Sequence, residues 1–359
     1  MRSPRAVSLD EARADAAFER NTRQLDLRGQ FSVLRTLPPR TPDAAHVCTP
    51  TACPQSRRSN GHQDSPSIVE RWARGQPPVE MTEEACARMW AQGGDKVVCY
   101  RGHYWHATSP GFYEPIHWMA RLRSTEVGRP VAASWGYRAS VCPDDLAIAN
   151  GSLPAHVIAN VSSFNGTCLS HQQGKNLRVC ERGVEIRRLY EPAMLLEQGY
   201  DVYLSSCERV GSRRHLSADQ YRAETLRTAG DDRWLVVAGS DSGRLLGYMR
   251  SYIVAGVLYL HDLHVLTEAR KTRVATGLYV ATLATCAKAG TIREACAGLN
   301  RPEQPGLGAF KEGIGFRLVN VPARYSIPAP IGAFIRFRRP ATYYRLTGSL
   351  PTSEDHTIT

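Results

Sequence analysis

Lysine is nearly absent from this chain. Five of its 45 basic residues are lysine (Lys96, Lys175, Lys271, Lys288 and Lys311), and the remainder are arginine. Arginine suits bidentate contacts to phosphate and carboxylate, although a GC-rich genome produces the same bias. Long apolar runs are also missing: a membrane-spanning helix needs about 20 apolar residues. The nearest run, 252–260, is broken by Gly256 and ends at His261 and Asp262. The first twenty residues have no apolar core and carry acids, which predicts no secretory signal and a cytoplasmic location. Ten cysteines in 359 residues fall short of a disulfide scaffold. Cys99, Cys142, Cys168, Cys180, Cys207, Cys286 and Cys296 stand among apolar neighbours and read as reduced, mostly buried thiols. No internal repeat, helix-turn-helix, zinc knuckle or aromatic RNA-binding signature is visible. DNA is therefore not an expected partner.

What is present is an ordinary globular composition, 42% hydrophobic and 22% charged, with a net charge of +11 that favours acidic partners. The length allows one or two domains plus unstructured ends. Residues 1–66 are rich in Arg, Pro, Ser and Asp and read as a disordered N-terminal tail. A short amphipathic helix over 10–27 is compatible with this tail. His46, Cys48, Cys53 and His62 also lie there, at a spacing that matches no zinc-finger pattern, so no metal is expected. Residues 67–154 read as an α/β segment that packs on or completes a main domain over 155–345, and 346–359 as a flexible tail.

Local signals sketch the elements. Thr82 caps a helix over 81–92, with Glu83 and Glu84 in its first turn. A strand is expected over 96–104, next to a ring-rich cluster of Tyr100, His103, Tyr104, Trp105, His106, Phe112, Tyr113, His117 and Trp118. That cluster is either a ligand wall or a core whose histidines are satisfied by hydrogen bonds. A strand over 157–164, a helix over 170–182, a strand over 184–189 and a helix starting near 193 follow. Ser217 with Gln220 three positions on has capping-box spacing. Then come three strands, 234–240, 245–255 and 257–266, a helix over 276–289, a strand over 293–299, a short helix over 306–313 and a last strand over 316–323. The order is α/β with a mixed sheet.

The segment from Trp234 to Pro322 resembles the acyl-donor half of the GNAT superfamily, the Gcn5-related N-acyltransferases, and more closely its FemAB-like branch. The piece Phe310-Lys311-Glu312-Gly313-Ile314-Gly315-Phe316 is similar to the helix, Gly-Phe, strand ending of those domains, and the helical stretches before and after Ser217 resemble their lead-in. The resemblance covers about half the chain. It implies a GNAT-like mixed central sheet flanked by helices, and direct transfer of an acyl group, acetyl or larger, from acyl-CoA to a small-molecule or peptide amine. It also implies a pantetheine arm beside strand 257–266 and a pyrophosphate at the N-terminus of the next helix. Thr276 and Gly277 open that helix here, and Arg270, Lys271 and Arg273 precede it.

Two departures bear on the donor. The usual R/Q-x-x-G-x-G/A loop is replaced by Arg273-Val274-Ala275-Thr276-Gly277, and a glycine-poor loop approaches a pyrophosphate less closely. This opens the alternative of an aminoacyl-tRNA donor, as in FemAB-like peptidyltransferases. In many GNAT enzymes a tyrosine follows the position matched by Phe310, and Lys311 stands there instead. Lys311 can reprotonate a leaving group only if burial lowers its pKa. A third reading, a GNAT-like domain that binds a ligand or partner without chemistry, draws on the same departures. For the base that must take a proton from the amine, strand alternation puts Asp262 and His264 on one face and His261 on the other. A carboxylate beside an imidazole forms a base with its orienter.

The C-terminal region is basic, with eight basic and two acidic residues between Arg301 and Arg345. Residues 329–339 read as a basic helix carrying Ile331, Phe334 and Ile335 on one side. Such a helix either docks on its own domain or meets an anionic surface.

Overall fold

The computed structural model describes residues 71–72, 78–211, 215–229 and 233–349. The helix expected over 10–27 and the His46, Cys48, Cys53 and His62 group lie outside them.

Among the described residues, strand β1 (Glu80–Met81) leads into helix α1 (Glu83–Gln92), whose first turn is closed by the Thr82 hydroxyl accepting from the Ala85 amide at 3.1 Å. The strand expected over 96–104 is instead a hairpin, β2 (Val97–Tyr100) and β3 (His103–Ser109). Its turn places Arg101 and Gly102 at φ of 50° and 82°, the left-handed pair that two-residue hairpins require. Strands β4 (Phe112–Pro115), β5 (Gly136–Ser140) and β6 (Gly151–Ile158) follow. β6 starts well before the expected 157 because Pro154, which reads as a strand breaker, sits inside it opposite Asn320.

The second part holds α2 (His171–Gly183), β7 (Glu185–Leu189), a wide turn at Leu195–Gly199 leading into α3 (Tyr200–Arg209), and α4 (Ala218–Ala229). Ser217 and Gln220 form the capping box: the Ser217 amide donates to Gln220 Oε1 at 2.9 Å and the Gln220 amide to Ser217 Oγ at 3.3 Å. The three-strand meander is β8 (Trp234–Asp241), β9 (Arg244–Val254) and β10 (Val257–Val265). Then come α5 (Val274–Ala287), β11 (Glu294–Leu299), α6 (Pro305–Ile314), β12 (Arg317–Ser326), α7 (Ala329–Arg338) and α8 (Pro340–Thr347).

One mixed sheet runs through both parts in the order β2-β3-β4-β5-β12-β6-β11-β10-β9-β8-β7, with β1 parallel to β9. β6 is inserted between β11 and β12, and β12 reaches across to β5. The boundary expected at 154/155 therefore falls inside a central strand.

α5 is the most buried helix of the core. Twelve of its residues, from Val274 to Cys286, are buried, on all sides of the helix. A helix apolar all round needs cover on both sides. The sheet supplies one cover and α2 the other, so close that a Cβ on Gly277 would stand 2.5 Å from Cys180 Sγ. Cys86, Cys180, Cys207, Cys286 and Cys296 are buried free thiols, whereas Cys99 and Cys168 are exposed.

Candidate functional site

β10 and β11 pair in parallel only at Val257, Leu258 and Tyr259 and then separate. At the point of separation β10 carries a bulge: its register against β9 shifts between Leu260 and Asp262, leaving His261 as the extra residue. A bulge breaks alternation. The expectation that His261 points away from Asp262 is overturned, since ligating atoms of His261, Asp262 and Glu224 lie within 4.8 Å of one another. That trio does not present open ligands. The buried Arg250 guanidinium stands 3.0 Å from Glu224, and its Nε donates to both Asp262 oxygens at 2.9 and 3.1 Å. A cation of the protein already fills the position.

A cavity of about 210 Å³ opens beside the bulge. Tyr259, Leu260 and His261 of β10 and Cys296 to Leu299 of β11 form one wall, and Trp90, Trp118 and Tyr252 add rings. Lys311 of α6 closes it, 1% exposed. Burial draws the Lys311 ammonium down to about 7, Cys296 opposing and Arg301 adding to the fall. An amine at that value exchanges its proton readily near neutral pH. Beside it, His156 on β6 is buried, and neither ring nitrogen has a hydrogen-bond partner among the described residues. Burial, reinforced by the Lys311 charge, lowers His156 to about 4, so its ring is neutral.

The far wall was not anticipated from sequence. Glu114 of β4 and Arg138 of β5 form a buried ion pair at 2.8 Å, and Arg138 also donates to the Arg345 carbonyl. Arg345 of α8 pairs with Glu303 at 2.5 Å. Glu114 and Arg138 sit in short apolar stretches, FYEP and GYRAS, where a lone charge inside a strand was the available signal. The ring cluster divides between both readings offered for it. His106 and Trp118 line the cavity, Trp105 and Tyr113 fill a separate small core, and His103 is held by Glu83 at 3.2 Å. His117 bonds the Tyr259 hydroxyl at 2.7 Å, and burial lowers it to about 4.

The expected base and its orienter do meet. His264 Nε2 lies 3.5 Å from Asp262 Oδ2, with the rings of Tyr203 and Tyr248 against the imidazole. Burial opposes ionisation of Asp262, but Arg250 and His264 outweigh it and hold the carboxyl well below the usual range. Neither Asp262 nor His264 lines the cavity; His261 does.

The expected phosphate residues split. Arg270 and Lys271 lie on the turn Glu268–Thr272, and Arg273, at φ 60°, joins it to α5. Arg209 lies close by; burial and the Arg270 charge lower it to about 10. Thr276 and Gly277 are turned inward: Thr276 Oγ1 donates to Gln173 Oε1 at 2.9 Å, and both amides donate to the Arg273 carbonyl, at 3.0 and 3.5 Å. Those two amides are not open to a pyrophosphate.

No protein-family model matches the chain, and no curated protein sequence does. Solved structures do match. The C-terminal domain (DUF2156) of a protein provisionally described as a lysylphosphatidylglycerol synthetase, from Agrobacterium fabrum, shares 12% identity at a TM-score of 0.50, over 78% of this chain and 97% of that one. FemX shares 10% identity at 0.47, over 75% and 96%. L-PGS from Bacillus licheniformis shares 11% at 0.47, over 78% and 96%. The likeness to the first of these shows the fold alone, a mixed sheet flanked by helices as the sequence led one to expect.

Proposed function

We propose that the chain is an acyltransferase that joins the acyl group of an activated donor to an amine, with the reaction in the cavity between β10 and β11. The observation that carries this reading is Lys311, a buried amine lowered to about 7 on the cavity wall where the sheet separates. In the reaction the amine nitrogen bonds to the donor's carbonyl carbon, and the bond from that carbon to the donor's oxygen or sulfur breaks. The Lys311 ammonium gives its proton to the departing atom. The amine's own proton passes to His261, an imidazole on the cavity wall, with Asp262 behind it and His264 completing the cluster. No covalent enzyme intermediate is needed, and burial keeps Cys296 a thiol, its pKa raised to about 12.

The donor is an aminoacyl ester of RNA. Two features favour it: α2 covers Thr276 and Gly277, where a pyrophosphate would otherwise sit, and Arg301 lines the cavity close enough to Lys311 to lower its pKa, adding positive charge there. Acyl-CoA is the second reading, favoured by Arg270, Lys271 and Arg273 ahead of α5. Calorimetric titration with coenzyme A and with a non-hydrolysable 3′-aminoacyl RNA hairpin separates them. The proposal expects saturable binding of the hairpin, weakened steeply by salt, and little or none of coenzyme A. Binding of coenzyme A that is lost on reversing Arg270 and Arg273 would move the donor to the second reading. A folded sample that binds neither would favour a domain without chemistry.

A further inference from the structure

In the middle of the sheet, β6 carries a buried histidine without a hydrogen bond. His156 stands opposite Leu318 of β12 and is 1% exposed, and neither Nδ1 nor Nε2 has a partner among the described residues. A desolvated polar group without a partner is costly, so an imidazole with both nitrogens in that state calls for a purpose beyond packing. Its neighbour is α6. A Cβ added at Gly308 would lie 3.7 Å from His156 Nε2 and 3.9 Å from Asn300 Oδ1, so both polar atoms border the part of α6 that has no side chain. Lys311 is three residues further on, the spacing that puts two residues on one helix face. Its charge reaches the imidazole and helps to keep the ring neutral. The other groups around the pair are Cys296 on β11, which stays a thiol, Arg301 just beyond β11, and Tyr344 of α8, whose hydroxyl accepts from Asn300 Nδ2 at 3.3 Å.

We propose that His156 is a positioning residue for Lys311: its neutral ring offers an acceptor nitrogen to the ammonium and fixes the direction in which the other N–H groups of Lys311 meet the cavity. The purpose of the contact rests on the acyltransferase reading; the contact itself rests on the placing of β6 against α6. A neutral imidazole has one acceptor and one donor nitrogen, and an ammonium can only donate, so the pairing has one sense. His156 does not touch the reacting atoms. It acts through Lys311, which lines the cavity.

The test reads Lys311 without needing its substrate. The stability of the full chain and of its Lys311→Met counterpart is measured by denaturant melts from about pH 5 to 10, and the pH at which their difference levels off on the acid side gives the pKa of Lys311 in the fold. The same pair is then made on His156→Leu and on His156→Gln. Loss of the acceptor should lower the Lys311 midpoint by about one unit in His156→Leu. His156→Gln, whose amide oxygen also accepts, should keep it near the parent value. In single-turnover transfer from aminoacyl RNA, His156→Leu should be about fivefold slower than the parent near pH 7, the change in protonated fraction that such a shift brings, and the two should converge toward about pH 5.5. His156→Leu replaces a desolvated ring by an apolar side chain and should fold, which circular dichroism checks. A midpoint unmoved in His156→Leu, or lowered equally in His156→Gln, would overturn the proposal. So would a rate deficit that is the same at every pH, the mark of a merely structural role. A midpoint that moves as expected in a protein that transfers nothing would uphold the contact and remove the acyltransferase reading instead.

Discussion

At the scale of single residues, the behaviour of Lys311 follows from where its ammonium is held. In the unfolded chain its pKa is near 10.5, and in the fold it is drawn to about 7. Between those values the unfolded chain binds more protons, so stability rises with pH across that window, and near and below pH 7 the buried charge opposes folding. Lys311→Met should therefore leave the protein about 2–4 kcal/mol more stable at pH 7. It should also abolish transfer, and a denaturant melt beside an activity assay reads both. His156 and His117 act at lower pH. Burial lowers each from 6.5 to about 4, so the stability they contribute as neutral rings is present above about 6.5 and lost as pH falls toward 4. Acid titration of His156→Leu should show a shallower loss over that range than the parent; an unchanged slope would mean that another group governs it. The place of Lys311 after Phe310 was legible in the sequence. Its depressed state was not, because that comes from the cover supplied by distant strands, with the Arg301 charge adding to the fall. Glu114 and Arg138 were missed for the same reason, since only the sheet brings the two strands together.

At the scale of elements, local chemistry was read well and non-local pairing poorly. The Thr82 cap, the Ser217 and Gln220 capping box and the meander joined at Asp241 to Arg244 rest on neighbours within a few residues, and all were legible. The bulge at His261 was not: it arises from the register of β10 against β9, and it reverses the side to which His261 turns. Gly277 lies in the first turn of α5, where the resemblance implied a phosphate site, and there it faces inward. Its missing side chain serves the approach of α2 to α5 at Cys180, with Ile186 also in contact. Gly277→Val should destabilise the fold by about 2–3 kcal/mol through overpacking. Any loss of donor binding should track the loss of folded protein. A variant as stable as the parent but unable to bind donor would return Gly277 to the phosphate site.

At the scale of the whole molecule, the two parts of the chain share one sheet. β6 stands between β11 and β12, which come from the other end of the sequence. No local pattern announces such an insertion, and Pro154 conceals the strand itself. Calorimetric unfolding should give a single transition, and a fragment starting at residue 155 should fail to fold because it lacks half of β6 and all of β5. Two separate transitions would contradict a shared core. The same sheet positions the candidate site, since its separation at Tyr259 lies at the cavity that Lys311 closes.

Whether this cavity transfers acyl groups to amines with Lys311 as the proton donor is decided by one single-turnover experiment. Purified protein is mixed with RNA carrying a labelled aminoacyl group and a pool of small amines and amine-bearing peptides, and label reaching an amine is followed for the parent and for Lys311→Met. Transfer by the parent is expected, with a fall of about a hundredfold or more in the variant, consistent with the loss of a general acid. Undiminished transfer by folded Lys311→Met, or no transfer by the parent from either this donor or acyl-CoA, would contradict it.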